Sequence, residues 1–262
     1  MKNYLISIYS TLAMNGIDIL KFMRAVRGGA FYLRDLREIK KQQRKSTISF
    51  VLKKFPCLGD KFAEGGEAKG HYFHQDLLVA RRIYAANPKR HVDVGSRIDG
   101  FVAHVASFRK IEVFDIRPIQ ASIPNIKFVQ YDLMADISES YSNYCDSLSC
   151  LHALEHFGLG RYGDPIKYDG YIDGLENLSK ILTKGGTFYL SVPIGPQRIE
   201  FNAHRVFSLN YLVSILSDKF KVIKFSYIDD HGALHEGITL NDDQTDNFCC
   251  NYGCGVFELE KK

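Results

Sequence analysis

From residue 72 to the end of the chain, short apolar runs alternate with segments whose apolar positions recur every three or four residues. The first pattern predicts strands buried on both faces, and the second predicts helices packed by one side. Strands are expected at His91–Val94 and at residues 111–114, 126–131, 147–151, 187–192, 221–227 and 253–260. Helices are expected at 75–86, 101–108, 171–182 and Leu209–Ser217. The first of these should stop at Asn87-Pro88, because a proline disfavours helical geometry in the residue before it. Lys184-Gly185-Gly186 reads as a turn, and the glycine-rich stretch 158–170 as a loop. Strand–helix alternation implies an α/β fold: a Rossmann-like, mostly parallel seven-stranded sheet with helices on both faces. The last two strands have no helix between them, which predicts an antiparallel C-terminal strand hairpin.

The N-terminal part differs. Residues 17–26, 31–43 and 48–54 carry apolar side chains at helical spacing. Residues 1–62 hold 13 Lys and Arg against 4 Asp and Glu, and the rest holds 21 against 26. The sequence EGGEAKG, within 63–70, reads as a linker. The expected division is a basic helical extension, 1–65, and a catalytic-type domain, 66–262. The extension is expected to be a solvated cap, with peripheral contact to acidic lipid headgroups as the functional alternative. Lys2 followed by the apolar run 4–14 resembles a signal segment, but no small-residue cleavage site follows and Asp18 comes soon after, so no secretion is expected. The 45% apolar content suffices for a substantial core. Six cysteines without a paired pattern indicate free thiols, and with them a cytoplasmic location. Cys249, Cys250 and Cys254 lack zinc-site spacing.

The chemistry is concentrated in HVDVGSRIDG, residues 91–100, and in Asp115. A strand leads into a glycine-containing turn and then a helix, and the second strand ends in an acid 20 positions after Gly95. Glycines in such a turn let the backbone approach a nucleoside, and the acid accepts hydrogen bonds from ribose hydroxyls. The fourth strand delivers His152, Glu155 and His156 to the sheet edge where ligands of open α/β sheets lie. His204 and Arg205 follow the fifth. His152-Ala-Leu-Glu155-His156 matches the H-x-x-E-H zinc-peptidase pattern. That pattern requires a helix, whereas here a strand precedes it and Gly158 and Gly160 follow, so no metal is expected.

Taken together, DVGSRIDG, Asp115, YDL around Asp132, LHALEH, the KGG turn and the terminal strands resemble the class I S-adenosylmethionine-dependent methyltransferases. LHALEHFGLGRYGDPI, GGTFYLSVPIG and FNAHRVF are most similar to a methyltransferase-like domain family of unknown function. The resemblance implies S-adenosylmethionine as cofactor. It places Asp93, Gly95, Ser96 and Gly100 around the methionine end, Asp115 at the ribose, and Asp132 with Leu133 at the adenine. The family commonly has glycine where this chain has Arg97. A side chain there is more tolerable beside a methyl donor than beside the pyrophosphate of a nicotinamide cofactor.

The activity expected from the resemblance is methyl transfer to a hydroxyl or similar group of a small molecule or glycan. A hydroxyl acceptor needs a base, and His156, then His152 and His204, are the candidates. A non-catalytic nucleoside-binding protein and an NAD-dependent oxidoreductase stay as alternatives. No nucleic-acid partner is expected, since the catalytic half is net acidic and lacks an N/D-P-P motif after the fourth strand. Oligomeric state is not legible in the sequence.

Overall fold

A computed structural model describes residues 9, 12, 16–48, 50–62, 66, 68–240 and 246–262. It divides into two units, Met1–Glu67 and Ala68–Lys262. Most of the 4–14 run and part of the linker lie outside the described residues.

In the first unit a single helix, α1 (Ile19–Gln43), replaces the two expected between 17 and 43. Asp18 caps it by accepting from the Lys21 N–H at 2.9 Å. The Gly28-Gly29 pair does not break it. Gly28 is where the chain returns: the Leu58 carbonyl sits where a Gly28 Cβ would be. Phe31 meets Phe62 edge-to-face with ring centroids 5.8 Å apart. The described residues of 48–54 are not helical. Phe22, Met23, Val26, Phe50, Val51 and Phe55 remain exposed. Among the described residues, no helix is long and apolar enough to cross a membrane.

The second unit is built on one sheet. Its strands are β1 (His91–Val94), β2 (Ile111–Asp115), β3 (Ile126–Gln130), β4 (Cys145–Leu151), β5 (Leu182–Ile194), β8 (Phe220–Ile228), β9 (Leu234–Ile238) and β10 (Gly253–Lys261). A separate ribbon pairs β6 (Arg198–Glu200) with β7 (His204–Val206). The sheet order is β3-β2-β1-β4-β5-β10-β8-β9. β1 to β5 are parallel, and β10 runs antiparallel between β5 and β8. The seven expected strands are present. The eighth, β9, lies in a polar stretch at the sheet edge, where partial exposure leaves no apolar pattern to read. β5 runs through the expected Lys184-Gly185-Gly186 turn: Gly185 takes φ +73°, and the register against β4 shifts there.

Helices cover both faces. α2 (His71–Ala86) and α3 (Ala103–Ala106, entered through a π turn at Ile98–Val102) pack Leu78, Val79, Ile83, Phe101 and Val105 on one face. α4 (Gly170–Ile181) and α5 (Leu209–Ser217) pack Leu175, Leu178, Leu212 and Leu216 on the other. Strand order reverses between β1 and β4, so a crevice opens beyond their carboxyl ends.

Candidate functional site

That crevice holds a cavity of about 310 Å³, within the ~300–1,000 Å³ typical of small-molecule sites. Its walls come from the ends of β1, β2 and β4 and from the segment after β3: Gly95, Phe114, Asp115, Asp132, Leu133 and His156 among them. The apolar walls and the few convergent polar groups suit a nucleoside.

Gly95 fixes the turn after β1. Its φ is +72°, and a Cβ there would lie 2.8 Å from the Ala153 Cβ. Its N–H donates to the Phe114 carbonyl at 2.9 Å, which ties the turn to the tip of β2. Asp93 and Ser96 hold the turn from behind. The fully buried Asp93 carboxylate accepts from the Ser96 N–H at 3.1 Å, from the Ser96 hydroxyl at 2.7 Å and from the Ser149 hydroxyl. Burial raises its pKa to about 7, although the bonds from Ser149 and Ser96 favour the charged form. Neither residue lines the cavity, and neither does Gly100, where a Cβ would meet the Asp76 carboxylate at 2.7 Å. Arg97 stands at the rim and does not fill the site. Its guanidinium pairs with Asp99 at 2.8 Å and is well exposed. Its backbone, at φ −67° and ψ 129°, is extended, a conformation open to any residue.

Asp115 stands at the tip of β2. Arg117 grips it: the Arg117 N–H and Nε donate to Oδ1 at 2.8 and 3.0 Å, and Nη2 donates to Oδ2 at 2.7 Å. The same guanidinium lies 4.3 Å from the Tyr162 ring centre, under the 158–170 loop. Asp132 lines the cavity, and its Oδ1 accepts from the Met134 N–H at 2.9 Å.

The loop is stapled from within and from below. Asp164 accepts from the N–H groups of Gly158, Gly160 and Tyr162 at 2.9 to 3.1 Å. Buried Arg205, on β7, donates to the carbonyls of Glu155, Phe157 and Tyr168 at 3.3, 2.6 and 2.7 Å. Both are therefore structural first: Asp164 lines the cavity only from within its own loop.

The histidines separate by role. His156 lines the cavity, and its Nδ1 donates to the Ala203 carbonyl at 2.6 Å. That bond places the proton on Nδ1 and leaves Nε2 as the free base. Burial lowers its pKa, with Glu155 pulling the other way, so it is neutral at pH 7. His152 also lines the cavity, with Nδ1 2.7 Å from Glu155 Oε1. Burial disfavours its charge, but Cys254 and Glu155 raise its pKa well above the usual value on balance. His204 does not reach the cavity. It lies behind His156, ring centroids 6.5 Å apart, and against Tyr252 at 5.0 Å. Burial lowers its pKa.

The sequence reading missed Tyr72, Gln75 and Asp76. α2 carries Tyr72 into the cavity wall, and it presents Gln75 to Ser191 (2.6 Å) and Asp76 to the turn at Gly100. Their polarity on the inner face of an otherwise amphipathic helix was the available signal. Arg117, two residues after the ribose-type acid, was also visible and unread.

The sequence model of a family described as "Caenorhabditis protein of unknown function, DUF268" matches residues 105–245. No curated protein matches the chain. Among solved structures, the chain is similar to the [4+2]-cyclase SpnF: 12% identity, TM-score 0.53, covering 75% of this chain and 85% of that one. It is also similar to a candidate sarcosine dimethylglycine methyltransferase from Galdieria sulphuraria: 11% identity, TM-score 0.50, 71% and 85%. A third is the N-methyltransferase NodS from Bradyrhizobium japonicum, bound to S-adenosylhomocysteine: 10% identity, TM-score 0.47, 72% and 87%.

Proposed function

The chain belongs to the DUF268 family and has the class I S-adenosylmethionine-dependent methyltransferase fold, and from that premise we propose that it transfers a methyl group from S-adenosylmethionine to a hydroxyl or similar group of a small molecule or glycan. The observation carrying this reading is one cavity that gathers Gly95, Asp115, Asp132 and a neutral histidine, His156, at the switch point of the sheet.

The residues present fit the cofactor. Gly95 keeps the turn at the cavity wall tight, since a Cβ there would meet the Ala153 Cβ at 2.8 Å. Phe114, Ile116, Leu133 and Leu151 offer apolar walls for an adenine. An ionised carboxylate has about four acceptor positions. Arg117 takes three of them on Asp115, and one on Oδ2 stays for a ribose hydroxyl. When bound, S-adenosylmethionine supplies an electrophilic methyl on a sulfonium.

The chain's part is then to position and to move a proton. His156 Nε2 accepts the proton of the acceptor hydroxyl. Its Nδ1–H, held on the Ala203 carbonyl, fixes the tautomer and the ring plane. Tyr162 packs edge-to-face on His156 at 5.3 Å. His152 and Tyr72 border the acceptor side. Membrane contact through α1, with its exposed Phe22, Met23 and Val26 among basic residues, belongs to the same proposal as a way to approach a surface-bound acceptor.

Isothermal calorimetry with S-adenosylmethionine and S-adenosylhomocysteine tests the cofactor. Saturable heat is expected, and its absence at millimolar ligand would end the proposal. A tritiated-methyl screen over hydroxyl-bearing small molecules and glycans tests the reaction.

A further inference from the structure

Three residues far apart in sequence, His71, His152 and Cys254, bring their ligating atoms within 4.8 Å of one another. We propose that they form a zinc site at the acceptor end of the cavity, with a fourth position open to water or to the acceptor group. The metal site does not depend on the methyl-transfer reading.

One thiolate and two imidazoles are all ligands zinc accepts, and three of them leave one of its four tetrahedral positions over. Tetrahedral bonds of about 2.0–2.3 Å put neighbouring ligand atoms roughly 3.3–3.8 Å apart. The observed spread therefore needs a contraction of about 1 Å, within reach of side-chain rotation. The two rings already lie 5.1 Å apart at their centres.

Four observations point to a ligand. His152 Nε2 is buried and, among the described residues, has no hydrogen-bond partner by distance and angle. The His152 side chain is only 4% exposed. The other nitrogen is already engaged as a zinc ligand requires: Nδ1 is 2.7 Å from Glu155 Oε1, a carboxylate–histidine pair. His71 packs against the Tyr252 ring, centroids 5.3 Å apart. Glu155 Oε2 is also buried, with no side-chain hydrogen-bond partner among the described residues. Finally, His152 is held at φ +50°, a left-handed conformation that is costly for a non-glycine residue and concentrates at functional sites.

The site sits where it could act. His152 belongs to the cavity wall, and Tyr72, 5.2 Å from it, lines the same space. Cys254 lies at the start of β10, opposite Pro193, at the edge toward which β1, β4 and β5 all end. Zinc there would lower the pKa of a bound hydroxyl or thiol acceptor beside His156.

The test uses the full chain, stripped with chelator and reconstituted with Zn²⁺ alone, with metal counted by mass spectrometry. One zinc per chain is expected. Reconstitution with Co²⁺ should give a thiolate-to-metal charge-transfer band and the visible spectrum of a tetrahedral ion. Cys254→Ser should abolish that band. Glu155→Gln should weaken binding about 10–100-fold, the usual loss when a group orienting a ligand is removed. Cys249→Ser should change neither. Should Cys254→Ser fail to fold, His71→Ala at the start of α2 replaces it, with loss of stoichiometric zinc expected. A folded wild-type chain that takes up no zinc overturns the proposal, as does a cobalt spectrum lost in Cys249→Ser but kept in Cys254→Ser or His71→Ala. None of these readouts involves S-adenosylmethionine.

Discussion

Arg117 closes on both carboxylate oxygens of Asp115, with contacts of 2.7 to 3.0 Å, at the tip of β2 where the proposed cofactor's ribose would bind. The pair keeps the acid aimed, and it leaves Oδ2 with spare acceptor capacity. Asp115→Asn should weaken S-adenosylhomocysteine binding about 10–100-fold, the cost of a charge-assisted bond of ~1.5–3 kcal/mol. Arg117→Met, which removes only the orienting partner, should cost less than about 5-fold by the same scale. Calorimetric titration of both variants checks the ranking. Equal losses would mean that Arg117 itself contacts the ligand.

Gly95→Ala should separate turn geometry from chemistry. A Cβ at φ +72° costs ~1–2 kcal/mol by itself, and it meets the Ala153 Cβ at 2.8 Å besides. A fall in thermal midpoint and a loss of cofactor binding are expected together, measured by scanning fluorimetry with and without S-adenosylhomocysteine. A variant with an unchanged midpoint and full binding would remove Gly95 from the site.

The pH dependence of His156 has a definite sign. Burial places its titration below the usual 6.5, so the neutral, proton-accepting form predominates at neutral pH. Methyl transfer to a hydroxyl should rise with pH and level off above the His156 midpoint, which should lie below 6.5 in an NMR titration of its ring signals. His156→Asn should leave cofactor binding intact and slow transfer about 10²–10⁴-fold. A midpoint above 6.5 would contradict the burial argument.

Asp164→Ala leaves three N–H groups of the 158–170 loop without their acceptor. The loop should loosen while the sheet stays intact. Trypsin should then cut after Arg161 or Lys167 several times faster than in the wild type, with the global thermal midpoint nearly unchanged. An unaltered digestion pattern would show that Arg205 alone holds the loop.

The same contrast runs through the whole chain. The hydrophobic periods by themselves determined the α/β class, the parallel strands and Leu209–Ser217, because burial on both faces writes unbroken apolar runs into the sequence. They did not report β9, whose partly exposed side chains carry no such signature, nor the union of two predicted helices into α1 across Gly28. Local motif logic found Gly95, Asp115, Asp132, His152 and His156, because a turn, a strand tip and a strand end are each set by a few consecutive residues. It also brought Asp93, Ser96, Gly100 and His204 to the cofactor or acceptor, whereas the tertiary structure puts them outside the cavity wall. Which residues face the cavity depends on what packs behind them: Ser149 behind Asp93, Asp76 against Gly100, Tyr252 against His204. Only the folded chain could decide that His71, His152 and Cys254 meet, since they lie 81 and 102 positions apart and no spacing rule links a helix start, a strand end and a final strand. Pairwise geometry across the sheet is set by packing and register, and neither is written in the local sequence.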